Sequence, residues 1–97
     1  MIRSFGDGRT EDLFHGRTSK RVRGLPPDIL DRAREGLDLI NAAAKLGDLR
    51  VPPSNRLEPL KGELKGFYSI RVNNQWRVVF RWTDGDAEDV RVVDYHT

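Results

Sequence analysis

Apolar residues recur at two different periods along this 97-residue chain, and the change of period divides it. After Leu25-Pro26-Pro27-Asp28, the residues Ile29, Ala33, Leu37, Ile40 and Ala44 return at helical spacing, with Leu30 alongside. Asp31, Arg32, Arg34, Glu35 and Asp38 fall mostly on the opposite side, the pattern of a helix with one buried stripe. Proline suits the first turn, where the N–H it lacks would have no partner, and Asp28 suits the positive end of the dipole. Gly47 is the expected stop. Pro52-Pro53-Ser54-Asn55 breaks the chain, and after it the period shortens to two. Tyr68, Ile70 and Val72 share one strand face; Trp76, Val78, Phe80 and Trp82 share another, with Arg77, Val79 and Arg81 behind them. Asp84-Gly85 marks a turn into a last strand, Val90 to Val93. Earlier in the chain, Ile2 to Phe5 reads as a short strand and Glu11 to Phe14 as a helical turn or two. Gly16 to Arg23 reads as a polar, basic connection. Hairpin-linked strands on one side of a long helix predict a single α+β two-layer domain over residues 1–97, its sheet mainly antiparallel.

The register of the central hairpin follows from keeping both apolar faces on one side. A three-residue loop, Asn73-Asn74-Gln75, pairs Val72 with Trp76, Ile70 with Val78 and Tyr68 with Phe80. A two-residue loop would set Ile70 against Arg77 and spoil both faces. The consistent register places Arg71 opposite Arg77 on the outer face, and Phe67 opposite Arg81. Like charges facing across a ladder repel. Two facing arginines therefore suggest an anion between them or an acid nearby, the alternative being long side chains that splay into water. Carried to the last strand, alternation with Val90 and Val92 inward puts Tyr95 on the Arg77 face and turns Asp94 and His96 away from it.

Charge sharpens this picture more than composition does. The net charge is only +2, but residues 49–82 carry seven Lys/Arg against two Asp/Glu, whereas residues 83–97 carry one against five. A basic block of this kind is commonly a solvated face; concentrated on one sheet segment, it can also attract a polyanion. Cysteine is absent, which excludes disulfides, thiolate catalysis and thiolate zinc sites. Neither an apolar leader nor a run of membrane-spanning length is present, so a cytoplasmic protein with no membrane association is expected.

Four segments together carry a family resemblance: Asn55-Arg56-Leu57-Glu58-Pro59-Leu60-Lys61-Gly62, then Gly66-Phe67-Tyr68-Ser69-Ile70-Arg71-Val72-Asn73, then Trp76-Arg77-Val78-Val79-Phe80, and the closing Val93-Asp94-Tyr95-His96. With Ile2 to Phe5, their order and spacing resemble the HigB-type toxins of bacterial toxin–antitoxin systems, within the RelE superfamily, over nearly the whole chain. The resemblance implies a compact RelE-like fold, with a twisted, mainly antiparallel sheet packed against N-terminal helices. It implies an endoribonuclease, without metal or other cofactor, that cuts mRNA in the ribosomal A site. It also implies a HigA-type antitoxin with a helix-turn-helix domain, through which alone the pair reaches operator DNA. The basic segment around Lys20, Val22 and Arg23 is the candidate antitoxin contact. A second reading, from a different class, is a non-cleaving inhibitor that binds a target such as gyrase, as in the ParE branch.

Such a nuclease needs a base for the 2′-OH, cations for an anionic phosphorane and an acid for the 5′-oxygen. Positions matching the family's functional residues are Lys61, Arg77, Asp94, Tyr95 and His96. Arg77, with Arg71 or Lys61, is the expected phosphate clamp, because guanidinium meets phosphate in bidentate geometry. Arg56, Arg81 and Glu58 are further candidates for substrate contact. His96 suits proton transfer near neutrality, with Asp94 orienting it and Tyr95 stacking on a base or donating to phosphate. His15 has no such partners and reads as a structural or surface residue. The chain departs from the family pattern at Glu58, where several members carry histidine. Glutamate, with an ordinary pKa of ~4.3, is the weaker base at neutrality, which implies slow cleavage or heavier reliance on His96.

Overall fold

The computed structural model describes residues 1–95. Among them, helices α1 (Gly8–Phe14), α2 (Lys20–Arg23) and α3 (Leu30–Ala42) precede strands β1 (Glu58–Pro59), β2 (Phe67–Arg71), β3 (Trp76–Thr83) and β4 (Asp86–Asp94). The strands form one antiparallel sheet in the order β1-β2-β3-β4. The α+β architecture is therefore the expected one, with α3 against one face of the sheet. Its stripe of Ala33, Leu37 and Ile40 is fully buried with Ile70, Val78, Phe80 and Val92. Gly36 lets the helix approach closely, since a Cβ there would meet Ile70 Cδ1 at 3.2 Å.

The three-residue hairpin register is the observed one. Ile70 pairs with Val78, Tyr68 with Phe80 and Arg71 with Arg77. Val72 N–H donates to Trp76 O at 2.9 Å, and Asn73 Oδ1 closes the loop by accepting from the N–H groups of Gln75 and Trp76 at 2.8 and 2.7 Å. The Asp84-Gly85 turn has both residues at positive φ, 51° and 84°, the combination that matches the twist of a tight hairpin.

Several elements differ from the sequence reading. α3 ends at Ala42, not near Gly47, because the Asp48 carboxylate accepts from the N–H groups of Ala44 and Lys45 at 3.0 and 3.1 Å. That competing cap starts a 3-10 turn over Leu46–Arg50, which contains Gly47, and leaves Ala43 buried and Ala44 exposed. The supposed connection from Gly16 to Arg23 contains α2, capped by Ser19 Oγ accepting from Val22 N–H at 3.2 Å. Val22 is consequently a core residue, while Lys20, Arg21 and Arg23 of α2 face water. β1, which no alternation announces, is a two-residue strand pairing Glu58 with Ser69.

β4 is longer than expected and carries a bulge. Arg91 pairs with Val79 but Glu88 pairs with Arg81, so Asp89 and Val90 together oppose Phe80. Asp89 takes a left-handed φ of 53°, and the extra residue lets Ala87 and Val90 both turn inward, fully buried. Past the bulge, alternation is regular to Asp94. The N-terminal segment lies parallel along the outer edge of β4, bridging Ile2 to Ala87 and Phe5 to Val90. Arg3 N–H donates to Ala87 O at 2.8 Å and Gly6 N–H to Val90 O at 2.9 Å, while Thr10 Oγ1 accepts from Val92 N–H at 2.9 Å. An edge that would otherwise offer unpaired groups to another chain is thus covered. His15 packs edge-on against Phe14 and Phe5, at 5.2 and 6.0 Å between ring centroids, consistent with a structural role.

This strapping depends on charge. Asp86 accepts from Arg3 Nε at 2.7 Å and lies 3.2 Å from the terminal amine; these contacts, Arg3 first, hold its carboxyl below the ordinary carboxylate range. Asp12, nearly buried beside Ser19, Arg17 and Arg21, is lowered in the same sense, chiefly by its hydrogen bond with Ser19. A carboxyl depressed in the folded state stabilises it above the unfolded value, about 3.9, and that contribution is lost as pH falls through the folded value. The urea midpoint is therefore expected to be level near neutrality and to drop below about pH 4. Asp86→Asn should lower the neutral midpoint and flatten the acid limb; an acid limb identical to that of the parent chain would refute this account.

Candidate active site

The outer face of the hairpin gathers the basic block. Arg71 and Arg77 face each other across β2 and β3, and Arg56, Asn73, Asn74 and Tyr95 complete the walls of a pocket of about 230 Å³. Arg71 Nη2 donates to Asn74 Oδ1, which draws its guanidinium toward the loop and away from Arg77. Arg77 is well enclosed, its side chain only 13 % exposed. Its Nη1 donates to Ser69 Oγ at 2.7 Å and to Arg56 O at 3.4 Å, and lies 3.1 Å from Glu58 Oε1. Both answers to the repulsion of facing arginines are present: an acid beside one and an open cavity between them.

Arg56 reaches the pocket through backbone geometry. It follows the 3-10 turn Pro53–Asn55 in a left-handed conformation, φ 46° and ψ 54°, which few non-glycine residues adopt. Asn55 fixes that turn from inside. It is fully buried, its Nδ2 donates to the carbonyls of Leu49 and Val51 at 3.1 and 3.3 Å, and its Oδ1 accepts from Arg32 Nη2 at 2.9 Å. The same Arg32 nitrogen donates to Arg71 O at 2.8 Å. One arginine of α3 therefore ties the Arg56 turn and the end of β2 to the helix.

Tyr95 lies on the Arg77 side, as simple alternation gives: Arg77 Cζ is 5.7 Å from its ring centroid. Its N–H donates to Gln75 O at 2.6 Å, which ties the end of β4 to the hairpin loop. The ring also lines a second cavity of about 300 Å³ with Glu58, Pro59, Leu60 and Lys61. Tyr95 thus stands between a cationic hollow and a mixed one. Asp94 is exposed on the other side of the strand, opposite Trp76, and accepts from Gln75 Nε2 at 3.0 Å. His96, the residue the chemistry wants on this face, lies outside the described residues.

Arg81 is not brought to either cavity. Its guanidinium covers Phe67 at 4.5 Å and pairs with Asp89 at 3.5 Å, at the opposite end of the outer face. Arg91 covers the same ring at 5.6 Å. Ser69, Asn73 and Asn74 are site residues that sequence reasoning passed over. Ser69 had a signal, since period two places it on the face of Arg71 and Arg77. The asparagines were legible only as loop formers.

The comparisons agree with this architecture. The sequence profile described as RelE-like toxin of type II toxin–antitoxin system HigB matches residues 3–96. The chain is 48 % identical over 87 residues to Toxin HigB-1 of Vibrio cholerae, covering 90 % of each protein. It is 37 % identical over 97 residues to Endoribonuclease HigB of Proteus vulgaris, covering 99 % of this chain and 100 % of that one. Among solved structures, it superposes on a YafQ mutant from Escherichia coli with a TM-score of 0.64 at 16 % identity, covering 97 % of this chain and 93 % of that one. The YoeB-YefM complex from Staphylococcus aureus gives 0.60 at 18 % identity, covering 100 % and 99 %. At such identities the two structures speak for the fold alone.

Removing the Asn55 side chain strips an acceptor from Arg32 and a donor from two buried carbonyls. Asn55→Ala is expected to cost about 2 kcal/mol and to lower Tm by roughly 10 °C. A thermal melt unchanged from the parent would show that the turn is held by something else.

Proposed function

We propose that this chain, which belongs to the HigB family of RelE-like toxins of type II toxin–antitoxin systems, is a cytoplasmic endoribonuclease that cuts mRNA in the ribosomal A site. The observation that carries the reading is the convergence of Arg56, Arg71 and Arg77 on one cavity edged by Tyr95. A phosphodiester needs this: three cations for its charge, and an aromatic ring at the rim for the adjoining base. The name of the Proteus vulgaris relative supports the nuclease activity.

In this reading the scissile phosphate lies between Arg71 and Arg77. A base takes the 2′-OH proton, the 2′-oxygen bonds to phosphorus, and the bond from phosphorus to the 5′-oxygen breaks. A cyclic 2′,3′-phosphate and a 5′-hydroxyl result, the latter taking a proton from the acid. Arg77 stabilises the charge that grows on the phosphorane oxygens, and Arg71 and Arg56 hold the flanking backbone. His96 serves proton transfer, with Asp94 as its orienting partner. Tyr95 stacks on a base or donates to a phosphate oxygen. Lys61, across Tyr95 from the arginines, meets the next nucleotide. Arg81, held on Phe67, contributes to the outer basic field and not to the clamp. No step calls on a metal. Message held in the ribosome supplies the ordered single strand that so shallow a site does not itself impose. A HigA-type antitoxin with a helix-turn-helix domain silences the toxin and carries the pair to its operator; the exposed Lys20, Arg21 and Arg23 of α2 are offered as part of its contact.

Expression in a bacterial host with mapping of mRNA 5′ ends tests this. Codon-phased cuts are expected, and Arg77→Ala or His96→Ala should reduce them at least 100-fold while the variants remain folded. Growth arrest with intact message would instead favour the non-cleaving, gyrase-binding kind of inhibitor.

A further inference from the structure

Arginine offers five N–H donors, two of them on Nη1. In Arg77 those two are directed at Ser69 Oγ and Arg56 O. Glu58 Oε1 lies 3.1 Å from the same nitrogen, so it faces the charge of Nη1 without a hydrogen of its own. Among the described residues, Nε and Nη2 of Arg77 donate to no partner, which leaves the edge of the guanidinium that grips phosphate in a bidentate fashion. The cation is thus oriented by two neutral acceptors, and the carboxylate adds a charge but no direction.

We propose that Glu58 is a resident counter-charge that sets how strongly this pocket holds a phosphodiester, and that it keeps the affinity of the free protein for RNA low. The inference rests on reading the pocket as a phosphate site, and it names how that site is regulated. Glu58 sits on β1 with its Cα opposite Ser69, so the strand pairing keeps its carboxylate beside Arg77 whether or not an anion is bound. Its side chain is 47 % exposed against 13 % for Arg77, so it is the half of the pair that water and salt reach. A phosphate on the Nε–Nη2 edge lies within a few ångströms of that carboxylate, well inside the screening length, and is repelled by it. The positioning of Arg77, by contrast, survives loss of the acid because Ser69 and the Arg56 carbonyl provide it. Such a site discriminates against loose RNA and favours a strand whose other contacts are supplied elsewhere.

The test is binding of a short fluorescein-labelled oligodeoxyribonucleotide, which lacks the 2′-OH and cannot be cut, followed by anisotropy across a KCl series. Glu58→Gln is expected to bind roughly five- to tenfold more tightly at low salt, with a log–log salt slope steeper by about 0.7. Glu63→Gln makes the same change of net charge outside both cavities and should gain less than about twofold. Far-UV circular dichroism and Tm establish that each variant folds; if the glutamine variant does not, Glu58→Ser must show the same tightening. Binding by a folded Glu58 variant that is equal to or weaker than the parent's overturns the proposal, as does an equal gain in Glu63→Gln. Arg77→Ala separates the two readings. If it abolishes binding while Glu58→Gln changes nothing, the phosphate site stands and the counter-charge role falls. If Arg77→Ala binds like the parent, or no form binds, both fall.

Discussion

The register of one hairpin governs most of what this molecule can do. Tyr68 and Ile70 on β2 with Val72 just beyond it, and Trp76, Val78 and Phe80 on β3, must all face α3, because a slip of one residue would send either set into water. Only a three-residue loop satisfies both strands at once. Its cost is that Arg71 and Arg77 are left directly opposed on the other face. The fold does not relieve that repulsion by burying an acid between them. Arg71 is drawn off by Asn74, Arg77 is turned by Ser69 and the Arg56 carbonyl, and the space between them is left as a cavity. The arrangement that keeps the core dry is also the one that creates a site for an anion.

The remaining elements serve to hold that hairpin still. β4 contributes the largest share of pairing to β3, and its bulge at Asp89 corrects the parity of the strand, so that Ala87 and Val90 can both be inward. Downstream of the bulge, alternation from Val90 and Val92 carries Tyr95 to the Arg77 face. The N-terminal strap and α1 cover the far edge of β4, and Arg32 of α3 reaches past the core to the Asn55 turn. In the proposed function rigidity matters, because a phosphate clamp acts by preorganisation: cations already in place need not be assembled as charge develops.

What the sequence disclosed depended on how local each signal was. The hairpin register was legible because two strands alternate strictly and a single loop length reconciles them. The face of Tyr95 was legible for the same reason, since alternation from Val90 and Val92 leads to it; the bulge at Asp89, upstream of both, was not. The end of α3 was not legible, since Gly47 is the stronger local stop and the competing cap from Asp48 depends on where the chain folds next. β1 offers two residues, one of them proline, and no alternation at all. Arg56 was a candidate for substrate contact, but the backbone geometry that brings it to the cavity was not legible. Its place depends on Asn55, a buried polar residue whose partners, Leu49, Val51 and Arg32, no spacing rule connects. Arg81 erred in the other direction: it shares a face with Arg77, but the Phe67 ring and Asp89 hold it away from the pocket.

The charge pattern that opened the question of a polyanion also looks different once folded. A basic block suggests attraction in proportion to its net charge, yet the cations are not pooled. Arg81 and Arg91 sit over Phe67, Arg32 is engaged by the Asn55 turn and the Arg71 carbonyl, and Arg77 carries an acid at its side. Of the seven positive residues between 49 and 82, three converge on the cavity. A surface built for affinity alone would have left them all free. This one commits part of its positive charge to architecture and sets an acid beside Arg77, so its pull on a polyanion is less than the count of cations suggests.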